Sequence, residues 1–263
     1  MKPIVILVLA LALTACGHSE RTSHRRDDAP KAGVVAANFR DSDPHPWADP
    51  SPARYPVNGI DVSKFQTSVD WQKARANGVN FAFIKATEGG DQADPLFDSH
   101  WRAARRAGVA TGAYHFYYHC RPAIEQARFF IANVPRTAGA LPPVLDMEWT
   151  PTSPTCRIRR DAATIKADAR IFLNAVEAYY GQRPIIYTTV DFYRDNTMWT
   201  MGGTEFWLRS VAANPKDVYA GQTWHFWQYT STGIVPGIAG NVDINVFNGS
   251  KSDWAHWLAQ RTQ

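Results

Sequence analysis

The chain has 263 residues, of which 45% are hydrophobic and 20% charged, so it can bury one large α/β core or two small ones. Its formal charge of +4 is a mild basic bias, and no basic run interleaved with aromatic residues indicates a nucleic-acid partner. Ten Trp, ten Tyr and thirteen Phe suit either a carbohydrate cleft or an ordinary core.

The first residues, 1–16, have the pattern of an export signal. Lys2 gives a positive start, and Ile4 to Leu13 is an apolar run too short to span a bilayer. Small residues then precede Cys16, as in a bacterial lipoprotein signal, in which this cysteine becomes the lipidated first residue of the mature protein. A plain secretory signal cut near Ala15, or an anchor that is never cut, are the alternatives. We therefore expect an exported protein that is held at a bacterial membrane by a lipid on Cys16, on the periplasmic or outer-membrane side in a diderm host.

Residues 17–56 are polar and rich in proline, with Asp43-Pro44-His45-Pro46 and Asp49-Pro50-Ser51-Pro52 as examples. Such a segment is expected to bury too little apolar surface to offset its ordering entropy. We predict a flexible tether that lifts a folded domain, residues 57–263, off the membrane.

From Val57 onward, predicted strands and helices alternate. After an opening strand around Ile60, the predicted strands are Phe81–Ala86, Val109–Phe116, Pro142–Asp146, Arg183–Thr188, Glu205–Ser210, Thr223–Tyr229 and Asn241–Phe247. The predicted helices are Trp71 to Asn77, Pro95 to Ala107, Pro122 to Asn133 and Asp161 to Tyr180. Eight strands in this order predict an α/β fold, an irregular (β/α) barrel of the TIM type with helices reduced or missing in its second half. A doubly wound open sheet is the alternative, but no Gly-rich phosphate loop supports it.

The strand that begins at Pro142 ends in two carboxylates, Asp146 and Glu148. Side chains alternate along a strand, so both point to the same side, with Cα atoms roughly 6.5–7 Å apart. Two like charges this close in a partly dry pocket cannot both ionise freely, so one should become a proton donor. The alternative to a catalytic role is a structural one, in which this motif is a solvated strand edge or a helix cap.

Other acidic residues also follow predicted strands. Asp61 ends the first strand and Asp243 lies in the eighth, which is the neighbour of the first once a barrel closes. Because barrel enzymes carry their chemistry at the carboxyl ends of the strands, we expect Asp61 and Asp243 to face the same cavity as Asp146 and Glu148.

Six short motifs follow one another between about Val57 and Phe247. They are Gly59-Ile60-Asp61-Val62-Ser63, Val69-Asp70-Trp71, Phe83-Ile84-Lys85-Ala86-Thr87-Glu88-Gly89, Gly112-Ala113-Tyr114-His115-Phe116, Val144-Leu145-Asp146-Met147-Glu148, and Trp227-Gln228-Tyr229 followed by Val242-Asp243-Ile244-Asn245. In this order they resemble glycoside hydrolase family 25, the lysozymes or muramidases that cut the β-1,4 bond between N-acetylmuramic acid and N-acetylglucosamine in peptidoglycan. One departure is Phe206-Trp207-Leu208-Arg209-Ser210-Val211, where the family usually has Leu-Trp-(apolar)-Ala-x-Tyr.

The resemblance implies a role for each acid. Matched by position, Glu148 would be the proton donor, Asp146 its partner, and Asp61 and Asp243 further acids of the cavity. Carboxyl groups about 5–5.5 Å apart mark retaining glycosidases and about 6.5–9.5 Å inverting ones, and a strand pair of this kind straddles both ranges. By likeness to other Asp-x-Glu barrels that act on N-acetyl sugars, we favour a third route. In it the 2-acetamido carbonyl of the substrate attacks the anomeric carbon while Asp146 orients the amide.

Further side chains near the strand ends are candidates for substrate contacts. They are Tyr114 and Tyr187, the pair Lys85 and Glu88 at the mouth, and Trp227 and Gln228 on the seventh strand. His115 and His119 flank a strand end and lack the Glu of a His-Glu-x-x-His motif, so we expect no metal and no other cofactor. Cys120 and Cys156 should lie in loops on one rim, either as a disulfide or as two free buried thiols.

These features together predict a monomeric peptidoglycan muramidase. A non-catalytic peptidoglycan-binding lipoprotein is one alternative, against which the retention of all four acids speaks. A chitinase-like glycosidase on another N-acetyl sugar polymer is the second. That class usually has a longer Asp-x-x-Asp-x-Asp-x-Glu run, where this chain has Pro142-Pro143-Val144 before its Asp146.

Overall fold

The computed structural model describes residues 33–262, so the predicted signal and Cys16 lie outside the described residues. The core of the fold is a barrel of eight strands: β1 Asn58–Val62, β2 Phe81–Glu88, β3 Ala110–Phe116, β4 Val144–Met147, β5 Ile185–Thr188, β6 Phe206–Arg209, β7 Phe226–Ile234 and β8 Val242–Phe247. The predicted barrel of the TIM type is confirmed.

The strands pair in sequence order, and the pairing of β8 with both β7 and β1 closes the barrel. The seven strands β1 to β7 are parallel to one another, whereas β8 runs antiparallel to its two neighbours, β7 and β1. The connection over residues 235–241 is too short for a crossover helix, so the chain can return only antiparallel. The start of β8 therefore lies at the rim where the other strands end, and Asp243 pairs in register with Asp61.

Seven helices surround the barrel within residues 33–262. They are α1 Trp71–Ala76, α2 Phe97–Arg106, α3 Ala123–Asn133, α4 Ala162–Tyr180, α5 Val190–Asp195, α6 Pro215–Val218 and α7 Lys251–Arg261. The helices after β5 and β6 are short, as predicted, because few residues separate these strands. None of the helices among the described residues has the length and apolarity that a bilayer span requires.

The inside of the barrel is filled with aromatic rings at the end opposite the predicted site. Phe83 stacks on Trp207 with ring centroids 4.6 Å apart. Gly59 makes room for this core, because a Cβ there would lie 2.5 Å from the Phe81 ring. Helix α7, which we did not predict, covers the end of the barrel where the parallel strands begin, and its Trp254 belongs to the same buried cluster. One end of the barrel is thus closed and the other is free for a site.

Residues 33–56, which we call the N-terminal strap, are ordered against the barrel. Arg40 and Asp41 pair with the end of β7, and the Asn80 side chain bonds to both the N–H and the carbonyl of Val35 at 2.8 and 3.0 Å. Trp47 packs edge-on against Trp227 with ring centroids 5.0 Å apart. The prediction of a flexible tether is therefore wrong for this part of 17–56. In the strap, scattered apolar residues and backbone hydrogen bonds offset the entropic cost of ordering. Composition alone had indicated that this cost was too large to be offset.

Candidate active site

A cavity of about 460 Å³ opens at the rim where β1 to β7 end. It is lined by all four predicted acids and by Ser63, Phe65, Lys85, Tyr114, Phe116, Tyr187, Trp207, Arg209 and Gln228. The structure thus places most of the predicted site residues in one pocket of carboxylates, aromatic rings and two cations.

Asp146 is the penultimate residue of β4, and it lines the cavity. Side chains alternate along the strand, so Met147 points away into the core, where it is fully buried. Burial and the nearby charge of Glu148 raise the pKa of Asp146 well above its ordinary value. The Oδ1 atom of Asp146 is buried and has no hydrogen-bond partner among the described residues. A buried acceptor of this kind is suited to an N–H donor of a ligand.

Glu148 follows β4 directly and lines the same cavity. Burial raises the pKa of Glu148 to about 7, against the opposing effects of the Arg209 and Lys85 cations. The Nε2–H of His119 donates to the backbone carbonyl of Glu148 at 3.0 Å, and the His119 ring stacks on Phe192. Glu148 is therefore a half-buried carboxylic acid whose backbone is held by the hydrogen bond from His119. With a pKa of about 7, it keeps much of its proton near neutral pH.

Asp61 is the most completely hydrogen-bonded of the four acids. Its Oδ2 accepts from the amides of Gln228 and Asn245, each at 2.8 Å. Gln228 in turn accepts from the Tyr187 hydroxyl at 2.9 Å, and Asn245 accepts from the Trp207 indole N–H at 2.7 Å. Burial raises the pKa of Asp61 to about 6, and the two amide donors limit that rise.

Asp243 faces Asp61 across the antiparallel pair of β8 and β1. Burial and the nearby charge of Asp61 raise the pKa of Asp243 to about 8, and Arg209 opposes this effect. Asp243 is therefore mostly protonated at neutral pH, so it can donate a hydrogen bond to a sugar hydroxyl.

The two predicted tyrosines and Lys85 also line the cavity, whereas Glu88 is not one of its lining residues. Burial raises the pKa values of Tyr114 and Tyr187 well above the ordinary value, so both hydroxyls keep their protons. Lys85 lines the cavity and forms an ion pair with Glu88 at 2.6 Å. Glu88 also accepts from the Tyr118 hydroxyl, which holds the pair in place. Lys85 is thus a fixed cation beside Asp146.

The structure corrects the prediction that Trp227 contacts sugar. Gln228 points into the barrel, so its neighbour Trp227 points outward, where it is 0% exposed and donates to the Ser210 carbonyl at 2.8 Å. Trp207, on the neighbouring strand, lines the cavity instead.

The two candidate histidines are buried and have structural partners. The ring nitrogens of His115 lie 2.7 Å from the Thr87 hydroxyl and 3.1 Å from Gln126 Oε1. Burial lowers the pKa values of His115 and His119 to about 4, so both are neutral at physiological pH. Among residues 33–262, no group of three or more His, Cys, Asp or Glu side chains has the arrangement of a metal site.

Sequence reasoning missed several cavity residues. Phe65 lies just past β1 and remains 76% exposed at the mouth. Arg209 ends β6 and was noted only as a departure from a family pattern. The rule that strand ends carry chemistry, applied to every residue type rather than to acids alone, would have found both.

Cys120 and Cys156 form a disulfide with Cα atoms 5.7 Å apart. It joins the loops that follow β3 and β4. The Thr150 hydroxyl donates to the Cys156 carbonyl at 2.5 Å, which ties the bridge to the segment just after Glu148. The disulfide therefore braces the loops behind the acid.

A second cavity of about 450 Å³ adjoins the first. The two share Glu148 and Arg209 as lining residues, and the second is otherwise lined by residues that follow β4, β5 and β6, Asp191 and Arg194 among them. Together they form a groove that passes over Glu148, as a polymeric substrate cut in its interior would require.

Comparisons with known proteins found a matching family model, related sequences and similar structures. The family model described as glycosyl hydrolases family 25 matches residues 60–238. An uncharacterized protein YegX of Escherichia coli O157:H7 is 38% identical over 207 residues, which cover 77% of this chain and 73% of that protein. Lysozyme M1 of Streptomyces globisporus is 36% identical over 209 residues, 74% of this chain and 68% of the lysozyme. The structure of a family 25 glycosyl hydrolase from Bacillus anthracis superposes with a TM-score of 0.73 at 30% identity, over 82% of this chain and 98% of that one.

Proposed function

This chain belongs to glycosyl hydrolase family 25 and is a glycoside hydrolase, and from that premise we propose that it is a peptidoglycan muramidase. Its reaction is the hydrolysis of the β-1,4 bond between N-acetylmuramic acid and N-acetylglucosamine. The observation that carries the proposal is the pair Asp146 and Glu148 in one groove, with the pKa of Glu148 raised to about 7. A protonated acid beside a second carboxyl group is the arrangement that glycoside hydrolysis uses.

In this proposal Glu148 is the general acid. It gives its proton to the glycosidic oxygen as the bond from that oxygen to the anomeric carbon breaks. The His119 hydrogen bond to the Glu148 backbone and the brace at Cys156 keep the carboxyl group aimed into the groove. The same carboxylate then takes a proton from the water that completes hydrolysis.

Asp146 acts on the 2-acetamido group of the substrate. The amide N–H donates to the Oδ1 atom of Asp146 that has no other partner, and the amide oxygen attacks the anomeric carbon as the leaving group departs. The resulting bicyclic ion carries a positive charge, which favours the ionised form of Asp146 at that moment. Water opens the ion from the opposite face, so the product retains the configuration of the substrate.

The remaining cavity residues bind and orient the sugar. Asp61 is held by Gln228 and Asn245, so its charge has a fixed position from which to stabilise the developing cation. Tyr114 contributes a protonated hydroxyl, and Phe65 offers a flat apolar face to a sugar ring.

We also propose export and a lipid anchor at Cys16. The disulfide in the folded domain supports export, because disulfides persist in oxidising compartments. The proposal predicts that the full chain, expressed in a bacterium, incorporates radiolabelled palmitate and stays with membranes. Cys16→Ser should lose both the label and the membrane association, and a wild-type chain without label would contradict the anchor.

The experiment that tests the activity is digestion of purified peptidoglycan, reduction of the products and mass spectrometry of the new ends. A muramidase gives N-acetylmuramitol at those ends, whereas a chitinase-like specificity gives N-acetylglucosaminitol. Binding without new ends would favour the non-catalytic alternative. Glu148→Gln should lower the rate of product formation by about 10²–10⁴. Glu177→Gln is the matched control, because Glu177 lies on α4, does not line the cavity and pairs with Arg183 at 2.8 Å.

A further inference from the structure

The feature that the proposed mechanism leaves unused is Arg209, a cation at the junction of the two cavities. It is the last residue of β6, and its side chain lines both the pocket of the four acids and the second cavity beyond Glu148. Its backbone carbonyl accepts from the Tyr219 hydroxyl at 2.6 Å, so its position in the strand is fixed. Arg209 is half-buried rather than extended into solvent.

The guanidinium of Arg209 has no hydrogen bond or ion pair with another residue in the range 33–262. This is unexpected beside four carboxyl groups, but burial raises the pKa values of three of them, Asp146, Glu148 and Asp243, so these groups hold their protons more tightly than free carboxylic acids do. Asp61 is engaged by two amide donors instead. Five N–H donors therefore face the groove with no partner of their own in the described chain.

The second cavity contributes another arginine to the groove, beside the carboxyl groups of Glu148 and Asp191. Arg194 also lines it and has no ion pair among the described residues, whereas Asp191 accepts from the Thr189 hydroxyl at 2.6 Å. A planar guanidinium over a groove is the group best matched to a carboxylate, which it can bind through two parallel hydrogen bonds.

We propose that Arg209 binds a carboxylate carried by a muramic acid residue next to the scissile bond, and that it is thereby a specificity-determining residue for muramyl glycans. This inference rests on the proposed muramidase function. The carboxylate has two sources: the 3-O-lactyl group itself where the strand lacks a stem peptide, and the acidic residues of the stem peptide where it is present. A chitin-like strand has the same backbone and acetamido groups but neither carboxylate, so Arg209 separates the two polymers.

The test uses three soluble muramyl substrates. The first is intact, peptide-bearing glycan, and the second is the same glycan stripped of stem peptides by an amidase, which leaves a free lactyl carboxylate on each muramic acid. The third is the stripped glycan after its carboxylates are converted to neutral methylamides with a carbodiimide. Values of kcat/KM are measured from the release of reducing ends for the full chain, for Arg209→Gln, and for Arg102→Gln. Arg102 is a matched control because it is an exposed arginine on α2 that pairs with Asp98 at 3.4 Å.

We expect the wild type to prefer the stripped glycan over its neutral derivative by about 10- to 100-fold, the range of one charge-assisted bidentate contact. In Arg209→Gln this ratio should fall to about one, and in Arg102→Gln it should stay at the wild-type value. If intact glycan depends on Arg209 as strongly as stripped glycan does, Arg209 also binds a stem-peptide carboxylate where the lactyl group is blocked as an amide. If only the stripped glycan depends on it, the lactyl carboxylate is bound.

Two results would overturn the inference and leave the proposed function in place. One is a wild type that cleaves the stripped and neutralised glycans at equal rates. The other is an Arg209→Gln variant whose substrate ratio is unchanged while its pH profile moves, because Arg209 would then only tune Glu148. Failure of the wild type to cleave any of the three glycans would instead contradict the proposed function.

Discussion

Replacing Glu148 by Gln should remove catalysis and at the same time stabilise the fold. The substitution keeps the size and shape of the side chain but removes the proton that the leaving group needs. General acid catalysis contributes roughly 10²–10⁴ in rate, so kcat should fall by about that factor.

The gain in stability follows from the pKa of Glu148, which burial raises from 4.5 to about 7. The folded state holds this proton more tightly than the unfolded chain, so stability that is present below pH 4.5 is lost as the pH rises toward 7. At about 1.36 kcal/mol for each pH unit, the ionised group costs about 3 kcal/mol at pH 8. Because Gln does not ionise, the variant should unfold about 5 °C or more above the wild type at pH 8, with a small difference at pH 4.

The assay pairs reducing-end release with thermal unfolding at pH 4, 6 and 8, with Glu177→Gln as the surface control. In the wild type, kcat/KM should decrease about tenfold per pH unit above pH 7, because the ionised acid cannot donate. A Glu148→Gln variant that keeps more than about a tenth of the wild-type activity at pH 6 would refute its role as the acid. Equal gains in stability at pH 4 and pH 8 would refute the raised pKa.

Three further substitutions test the parts that surround the acid. Phe65→Ala should raise KM about three- to tenfold on peptidoglycan while kcat stays within about twofold, since an exposed ring at the mouth binds sugar rather than reacts with it. The double variant Cys120→Ala with Cys156→Ala should lose about 2–4 kcal/mol of unfolding free energy in urea and also lose activity, because the bridge braces the loop behind Glu148. Trp47→Ala should lower the unfolding free energy by about 1–3 kcal/mol with little change in kcat, because its ring packs on the outside of the barrel.

Each of these has a control within the same chain. Trp199→Ala removes an aromatic ring that is 54% exposed and does not line the cavity, so an equal rise in KM there would argue against a sugar contact at Phe65. For the disulfide, the wild type in reductant should behave like the double variant, and unchanged activity in both would show that the bridge does not support the site. For the strap, wild-type stability after loss of the Trp47 ring would mean that its packing contributes nothing to folding.

The alternation of apolar strands and amphipathic helices was sufficient to predict the barrel, because periods of 2 and 3.6 residues are local properties of the chain. The same period predicted that Asp146 and Glu148 face one side, and strand order predicted that Asp61 lies near them. The prediction for the strap was wrong because proline and charge content indicate only the entropic cost of ordering the segment. They do not show that the outside of the barrel offers hydrogen-bond partners and aromatic rings that the strap can pack against.

Periodicity and composition along short stretches were enough to predict the strands, their order and the acids at their ends. Only the tertiary structure decided that β8 runs antiparallel, that α7 closes one end of the barrel, and that Trp207 rather than Trp227 faces the cavity. It also decided the proton affinities of the acids, because burial and neighbouring charges arise from residues that lie far apart along the chain and meet only when the barrel closes.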